Sequence, residues 1–334
     1  MSMFFSEAAW LCLSVTAVLG STVLCTYKCP AQLQSRVVCL AVLWGGACLL
    51  GLSFFWSLIL FCLSCFLLYM SSGEEFLPVD GKAVLVTGTD TGIGHALAKH
   101  LDKLGFTVFA GVLDERGSGA EELRKTCSNF LSVLQMDVTK PEQIKDAHHK
   151  VIEKMQDKGL WAVVNNAGII HFPIDGELIP MDDYKKCMAV NFFGAVEVTK
   201  AFLPLLRKSK GRLVTISSMG GLMGTSDMWD KMEKNVLDQL PQEVQEDYGQ
   251  DYLFLNKDFL RLMSAQSSPD FTPVLQDVQH AISAKSPSPF YAPGKLAYLW
   301  VCFASFSPTC LFDYIMQKTF GQGCIMPRAL SVAD

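Results

Sequence analysis

The sequence predicts an α/β fold, a doubly wound parallel sheet with N-terminal transmembrane helices ahead of it. Three observations carry this expectation. Two long uncharged apolar runs open the chain, the composition turns polar after Met70, and from there short apolar runs alternate with amphipathic stretches. Strands alternating with helices in this way are joined by right-handed crossovers into a parallel sheet.

The chain has 334 residues, half of them apolar, and a charged share of 18%, below the ~25% of an ordinary soluble protein. The deficit is local. No charged side chain occurs from Ala8 to Tyr27, twenty residues, or from Val37 to Met70, thirty-four residues. A helix of about twenty residues crosses the ~30 Å of hydrocarbon in a bilayer. The second run is long for one span and short for two. A cleaved leader is not expected, because the N-terminus lacks a basic start and a second apolar run follows. Lys28 and Arg36 bracket the link between the runs and favour its placement in the cytosol. The net charge is −5 without a basic cluster, which argues against nucleic acid as a partner.

Seven of the twelve cysteines lie in or beside the apolar runs, where cysteine packs as a small apolar residue. Cys62 and Cys65 have metal or redox spacing but no second pair or histidine nearby, so no metal site is expected.

Residues 71–78 form a polar, acidic link. Lys82 to Gly88 is an apolar run ending in glycine, the pattern of a strand buried on both faces. Ile93, Ala96, Leu97, Leu101 and Leu104 then fall on one helical face, stopped by Gly105. Phe106 to Val112 reads as the second strand, Gly119 to Cys127 as a short helix and Leu131 to Met136 as the third strand. Thr139 and Glu142 have the spacing of a capping box, opening a helix that turns Ile144, Ala147, Val151 and Met155 inward. Leu160 to Val164 is the fourth strand, Asp182 to Lys208 a long helix and Arg212 to Ser217 the fifth strand. Beyond these, Lys231 to Asp258 is amphipathic. Leu296 to Phe312 holds no charge and is interrupted by Pro308, which suits a pocket wall or a surface attachment. The expected division is an anchor over 1–72, a dinucleotide-binding domain over 73–223 and a helical covering region over 224–334.

The first strand runs into Thr87-Gly88-Thr89-Asp90-Thr91-Gly92-Ile93-Gly94. Glycines there let the backbone turn and approach a pyrophosphate, and the helix that follows offers free N–H groups and its positive dipole end. A glycine-rich turn alone is weak. A strand before it, a helix after it and a second strand at Phe106 make it specific to a Rossmann-like site. Where the second strand ends, Val112-Leu-Asp114-Glu115 offers no cation before Arg116. A ribose 2′-hydroxyl accepts that neighbourhood and a 2′-phosphate does not, so NAD is expected over NADP.

The spacing Gly88-x-x-x-Gly92-x-Gly94, with Asn165-Asn166-Ala167-Gly168 closing the fourth strand, resembles the short-chain dehydrogenase/reductase family. The resemblance implies a cofactor site made of Gly88, Thr89, Asp90, Gly92, Ile93, Gly94, Asp137, Val138, Asn165, Asn166, Ala167 and Gly168. Within it Asp137 would contact adenine. It also implies Ser218 as catalytic serine and Asn191 as the asparagine of the proton relay. The likeness covers nearly the whole chain for the family's membrane-anchored 17β-hydroxysteroid dehydrogenases. It implies NAD-dependent oxidation of the 17β-hydroxyl of estradiol and testosterone at the endoplasmic reticulum membrane.

One departure matters. The family carries a Tyr-x-x-x-Lys about a dozen residues after its serine, the tyrosine as general acid/base and the lysine lowering its pKa. Here Met219 to Asp230 contains no tyrosine, the next is Tyr248, and Tyr252 stands where its lysine would be. Tyr291/Lys295 and Tyr314/Lys318 match the spacing, but Pro293 and Gly294 break the first and the second lies in the tail. The following strand and its Pro-Gly turn are missing too. A single internal deletion of roughly fifty residues, about one βα unit plus a strand, accounts for all of this. It falls between Gly221 and Gly224. Such a loss predicts an incomplete sheet, impaired catalysis and doubtful dimerisation, leaving a non-catalytic bystander as the alternative.

Overall fold

A run of apolar residues, Ala83-Val-Leu-Val-Thr87, forms β1 and is buried at every position, as a strand covered on both faces must be. A computed structural model describes residues 59, 63, 75–156, 158–171, 174–217, 226–249, 252, 270–294 and 297–320. All of the first uncharged N-terminal run, most of the second, and Ser218 lie outside the described residues. The chain divides into two compact units, one of residues 1–78 with 279–301, the other of 79–278 with 302–334. In the first, Glu75–Leu77 pairs with Ser283–Lys285 through an antiparallel bridge at Phe76 and Ala284.

The second unit holds the sheet. β1 is flanked by β2 (Thr107–Val112) and β4 (Ala162–Asn165), with β3 (Leu131–Gln135) outside β2 and β5 (Arg212–Thr215) outside β4. All pairings are parallel, in the order β3-β2-β1-β4-β5. Helices cover both faces. α1 (Gly92–Lys103) buries Gly94, Leu97, Ala98 and Leu101, the spacing of one helical face. α2 (Ser118–Thr126) packs beside it. On the opposite face α3 (Pro141–Met155) turns Ile144, Ala147, Val151 and Met155 inward as expected. They meet Leu85, Phe109 and Val163 from the sheet, and Val198, Phe202 and Leu206 from α5 (Ala195–Ser209).

Two local expectations need correction. The capping box at Thr139 does not form. The Thr139 hydroxyl donates to the Asp137 carboxylate at 2.7 Å, so α3 starts with Pro141 and no side-chain cap. The long helix expected over Asp182–Lys208 is interrupted. α4 (Met181–Met188) leads into a π-helical turn, Ala189–Gly194, before α5 resumes. The run Met181–Ser209 is long and apolar enough to cross a membrane by length and composition. Its buried residues Val198, Phe202 and Leu206 instead hold it against the sheet.

β5 departs from the other strands. Its residues alternate between half-buried and exposed, and Leu213 is 46% exposed. The amides of Arg212 and Ile216 point to β4, donating to Trp161 and Asn165. Leu213 and Thr215 therefore turn their backbone groups outward, since successive residues alternate along a strand. Among the described residues β5 is an open edge of a five-stranded sheet.

After it come α6 (Ser226–Gln239) and α7 (Gln242–Tyr248), two helices where one amphipathic stretch was expected, separated at Pro241. Trp229 of α6 is fully buried with Leu178, Val236 and Tyr252. α8 (Thr272–Ser283) follows, and Pro308 separates α9 (Ala297–Phe306) from α10 (Thr309–Phe320).

Replacing Phe202 by Ala empties a fully buried site and is expected to cost about 3–5 kcal/mol. Leu213→Lys, on the exposed edge, should stay within about 0.5 kcal/mol. Urea unfolding of the full-length chain in detergent checks both.

Candidate dinucleotide site

The carboxyl ends of β1 and β4 are laced together by two side chains. The Thr87 hydroxyl accepts the Asn166 and Ala167 amides at 3.0 and 2.9 Å. The Asn166 side-chain amide donates to the carbonyls of Thr87 and Gly88 at 2.8 and 3.0 Å. Above this seam the chain turns sharply, with Gly88 at φ 67° and Gly92 at φ 62°, the left-handed region glycine tolerates. A Cβ on Gly94 would collide with the Gly88 carbonyl and the Asn166 amide, and one on Gly88 would press on Ala167. Around Gly92 there is open space. α1 begins there without a side-chain cap, so its first N–H groups remain for an outside acceptor.

The rest of the turn is divided in role. Thr89 is fully buried, its hydroxyl and amide both donating to the Gly111 carbonyl at 3.1 and 2.9 Å. It braces the turn from beneath. The Asp90 carboxylate reaches across to the end of β2, accepting the Leu113 amide at 2.9 Å and the Asp114 amide at 3.2 Å. Asp90 and Asp114 thus bring two carboxylates to the end of β2.

At the end of β3, Asp137 is tied into its own loop. Burial pushes its carboxyl up, but the Thr139 hydroxyl and amide and the Lys140 ammonium outweigh that, and the pKa lies below the usual carboxylate value. Val138 is buried against Gly194, whose missing Cβ makes the approach possible. Asn165 donates to the Thr199 hydroxyl at 2.9 Å, anchoring β4 to α5. Its side-chain oxygen is buried without a hydrogen-bond partner among the described residues.

Asn191 occupies the π-helical turn. Its side chain grips the backbone of Ile169 reciprocally, accepting the amide and donating to the carbonyl, both at 2.8 Å. A second donor contact reaches the Cys187 sulfur at 3.3 Å. The widened turn aims this one side chain at the loop beyond Gly168, a frequent use of π-bulges. Ile93 and Gly168 border the same loops, Ile93 half-buried at the start of α1 and Gly168 open beside Asn191.

The tyrosines that follow are held by partners of their own. The Tyr248 hydroxyl donates to the Glu177 carboxylate at 2.8 Å, and this bond with the surrounding carboxylates pushes its pKa up to about 12. Tyr252 donates to Asp175. A general base needs a pKa pulled toward neutrality, and carboxylate partners do the opposite. Tyr291 hydrogen-bonds His280 at 2.7 Å, and Lys295 lies outside the described residues. In α10 the Lys318 ammonium stands 6.0 Å from the centre of the Tyr314 ring.

Residues 82–229 match the short chain dehydrogenase family pattern. The chain belongs to that family. Estradiol 17-beta-dehydrogenase 2 of Rattus norvegicus is 59% identical over 382 positions, covering 100% of both chains. The 17-beta-hydroxysteroid dehydrogenase type 2 of Homo sapiens is 57% identical, covering 100% of this chain and 98% of its own. The 11-beta-hydroxysteroid dehydrogenase type 2 of Bos taurus is 38% identical over 77% of this chain and 75% of its own. A short-chain dehydrogenase structure from Streptomyces avermitilis shares the fold, with a TM-score of 0.52 at 18% identity over 75% of this chain and 100% of its own. The alignment with the rat protein spans 382 positions against 334 residues here, so at least 48 of them face no residue of this chain.

The family's hydride carrier is a nicotinamide dinucleotide, and the residues present fit one. The glycine turn is a hollow that a Cβ at Gly88 or Gly94 would fill, beside an uncapped helix start. The motifs revealed Gly88 to Gly94, Asn165 and Asn166 from sequence. They did not reveal Thr87, Thr199 or Cys187, whose roles depend on partners far along the chain.

Gly94→Ala is expected to weaken dinucleotide binding by about tenfold or more, since a single-methyl clash falls on backbone that cannot yield. Calorimetric titration with NAD checks this. Removing the Tyr248 phenol with Tyr248→Phe should delete one ionisation near pH 12 from an ultraviolet difference titration. The phenol's raised pKa means its hydrogen bond stabilises the fold fully below about pH 10 and ceases to as pH passes 12.

Proposed function

We propose that this chain is an NAD-binding, membrane-bound relative of the 17β-hydroxysteroid dehydrogenases that has lost proton transfer. The observation that carries the reading is the pairing of an intact glycine cradle with the positions unmatched in the rat alignment. The gap belongs between Gly221 and Gly224, where the family's Tyr-x-x-x-Lys and next strand would stand. The open edge of β5 supports that location.

The relatives' names support a 17β-hydroxysteroid substrate such as estradiol, and the family resemblance adds testosterone; the 17β-hydroxyl would be oxidised. When bound, NAD supplies the hydride acceptor. This chain's residues contribute the phosphate cradle (Gly88, Gly92, Ile93, Gly94), the ribose end (Asp90, Asp114) and the loop held by Asn191. A 2′-phosphate would meet the Asp90 and Asp114 carboxylates, which favours NAD over NADP. Ser218 would polarise the substrate oxygen, yet no described group stands ready to take its proton. Residues 1–72 would anchor the chain in the endoplasmic reticulum membrane, 73–223 bind the cofactor and 224–334 cover the substrate. Among the described residues no helix covers the exposed flank of α4 and α5, where family dimers would pack one, which disfavours a homodimer of the family type.

Expressed in microsomes with NAD and labelled estradiol, the chain should form estrone about 10²–10⁴-fold more slowly than an intact relative, the usual contribution of a general acid/base. Inserting the relative's missing segment between Gly221 and Gly224 should restore the rate. Comparable turnover without the insert refutes the loss of catalysis. Separately, NAD should bind more tightly than NADP, and Asp114→Arg should narrow the gap. An unchanged preference would remove the ribose-end argument.

A further inference from the structure

Burial fixes β2 only as far as Val112, which is fully buried. Leu113 beyond it is 62% exposed and Asp114 is exposed too, so packing does not decide where this loop lies. Yet the loop carries a carboxylate that would meet the cofactor's ribose. A carboxylate excludes a 2′-phosphate only while it stays close, because the repulsion falls with distance. A loop free to swing outward would let the phosphate in.

Hydrogen bonds hold the loop from three sides. From the glycine turn, the Asp90 carboxylate accepts the amides of Leu113 and Asp114. A Cβ on Gly119, at the start of α2, would collide with the Asp90 carbonyl, so Asp90 is boxed in as well. From further along α2, the Arg124 guanidinium donates to the Glu115 carbonyl at 2.6 Å. The third hold comes from β3. Gln135 is the last residue of that strand and stands beside Val112 in the register. Its carboxamide oxygen accepts the Glu115 amide at 2.8 Å, and its carboxamide nitrogen donates to the Leu113 carbonyl at 2.5 Å. The orientation of this side chain follows from chemistry, since a backbone carbonyl only accepts and an amide N–H only donates.

The three holds are not equivalent. Asp90 grips the chain at and before Asp114, and Arg124 grips it after, whereas Gln135 grips both flanks. Asp114 accepts the Arg116 amide on one carboxylate oxygen at 2.9 Å, and the other oxygen accepts no hydrogen bond among the described residues. Resting on the reading of the end of β2 as the ribose site, we infer that Gln135 is a positioning residue for cofactor choice, holding the Asp114 carboxylate where it excludes NADP. Gln135 has no charge of its own to attract or repel a phosphate, so its contribution is geometric and passes through Asp114. It lies outside the glycine turn and outside the motif that closes β4.

The test titrates the full-length chain in detergent with NAD and with NADP by calorimetry. Gln135→Met keeps the length of the side chain and removes both bonds. The unsubstituted chain is expected to prefer NAD, and Gln135→Met should narrow that preference about fivefold, the worth of one net hydrogen bond, chiefly through tighter NADP binding. Gln135→Ala, which removes the same bonds with less bulk, should act in the same direction. In an Asp114→Ala background the Gln135→Met substitution should leave the ratio of the two affinities unchanged. Equal weakening of both dinucleotides, an unchanged ratio, or an effect as large without Asp114 overturns the role of Gln135 while sparing the ribose site. A chain that binds neither dinucleotide, or prefers neither before substitution, overturns the ribose-site reading and the role of Gln135 with it.

Discussion

The carboxyl edge of the sheet depends on one seam, the lacing of β1 to β4 by Thr87 and Asn166. Four hydrogen bonds from two side chains hold the ends of strands 79 residues apart in sequence. The seam fixes the Gly88 carbonyl, against which Gly94 and the start of α1 close. It also positions the chain after β4, so that Ile169 arrives where Asn191 can hold it. Buried polar groups in such a place must be fully paired, because each unpaired one costs ~1–3 kcal/mol. The pairing therefore selects Thr and Asn at these two positions as firmly as packing selects Leu85 or Val163 beneath them.

Much of this was legible in the sequence. β1, β2 and β4 are covered on both faces, so burial alone writes each as a continuous apolar run, and α1 and α3 show the period of a one-sided helix. Legibility failed where a side chain chose between partners. Thr139 could cap α3 or bind Asp137, and spacing alone does not reveal that the nearer carboxylate wins. Asn191 appeared as a motif residue, but its partner is the main chain of Ile169 and its π turn has no composition of its own. Asp90 lay within the glycine turn, while its hold on the end of β2 depends on residues 23 positions away. Ser218 falls outside the described residues, so its role rests on the motif alone.

The flank of α4 and α5 carries an exposed apolar face. Met188, Phe192, Phe193 and Val196 are all well exposed, and so is Leu213 on the edge strand. Their opposite sides are well packed, with Val198 and Phe202 fully buried. The residues retain the patterning of an interior that is covered on one side only. An apolar strip beside an unpaired strand invites association in solution.

The pairing of Glu75–Leu77 with Ser283–Lys285 has a consequence for biosynthesis. The two partners are separated by 210 residues in the Glu75–Lys285 contact. At ~5–20 residues per second a ribosome needs roughly ten to forty seconds to bridge that interval. Throughout it the link waits with its backbone groups open, while the sheet strands encoded between the two partners can already collapse. Closure of this part of the molecule is therefore a late event in the life of the nascent chain, and whatever holds the waiting strand during that interval acts before the protein is complete.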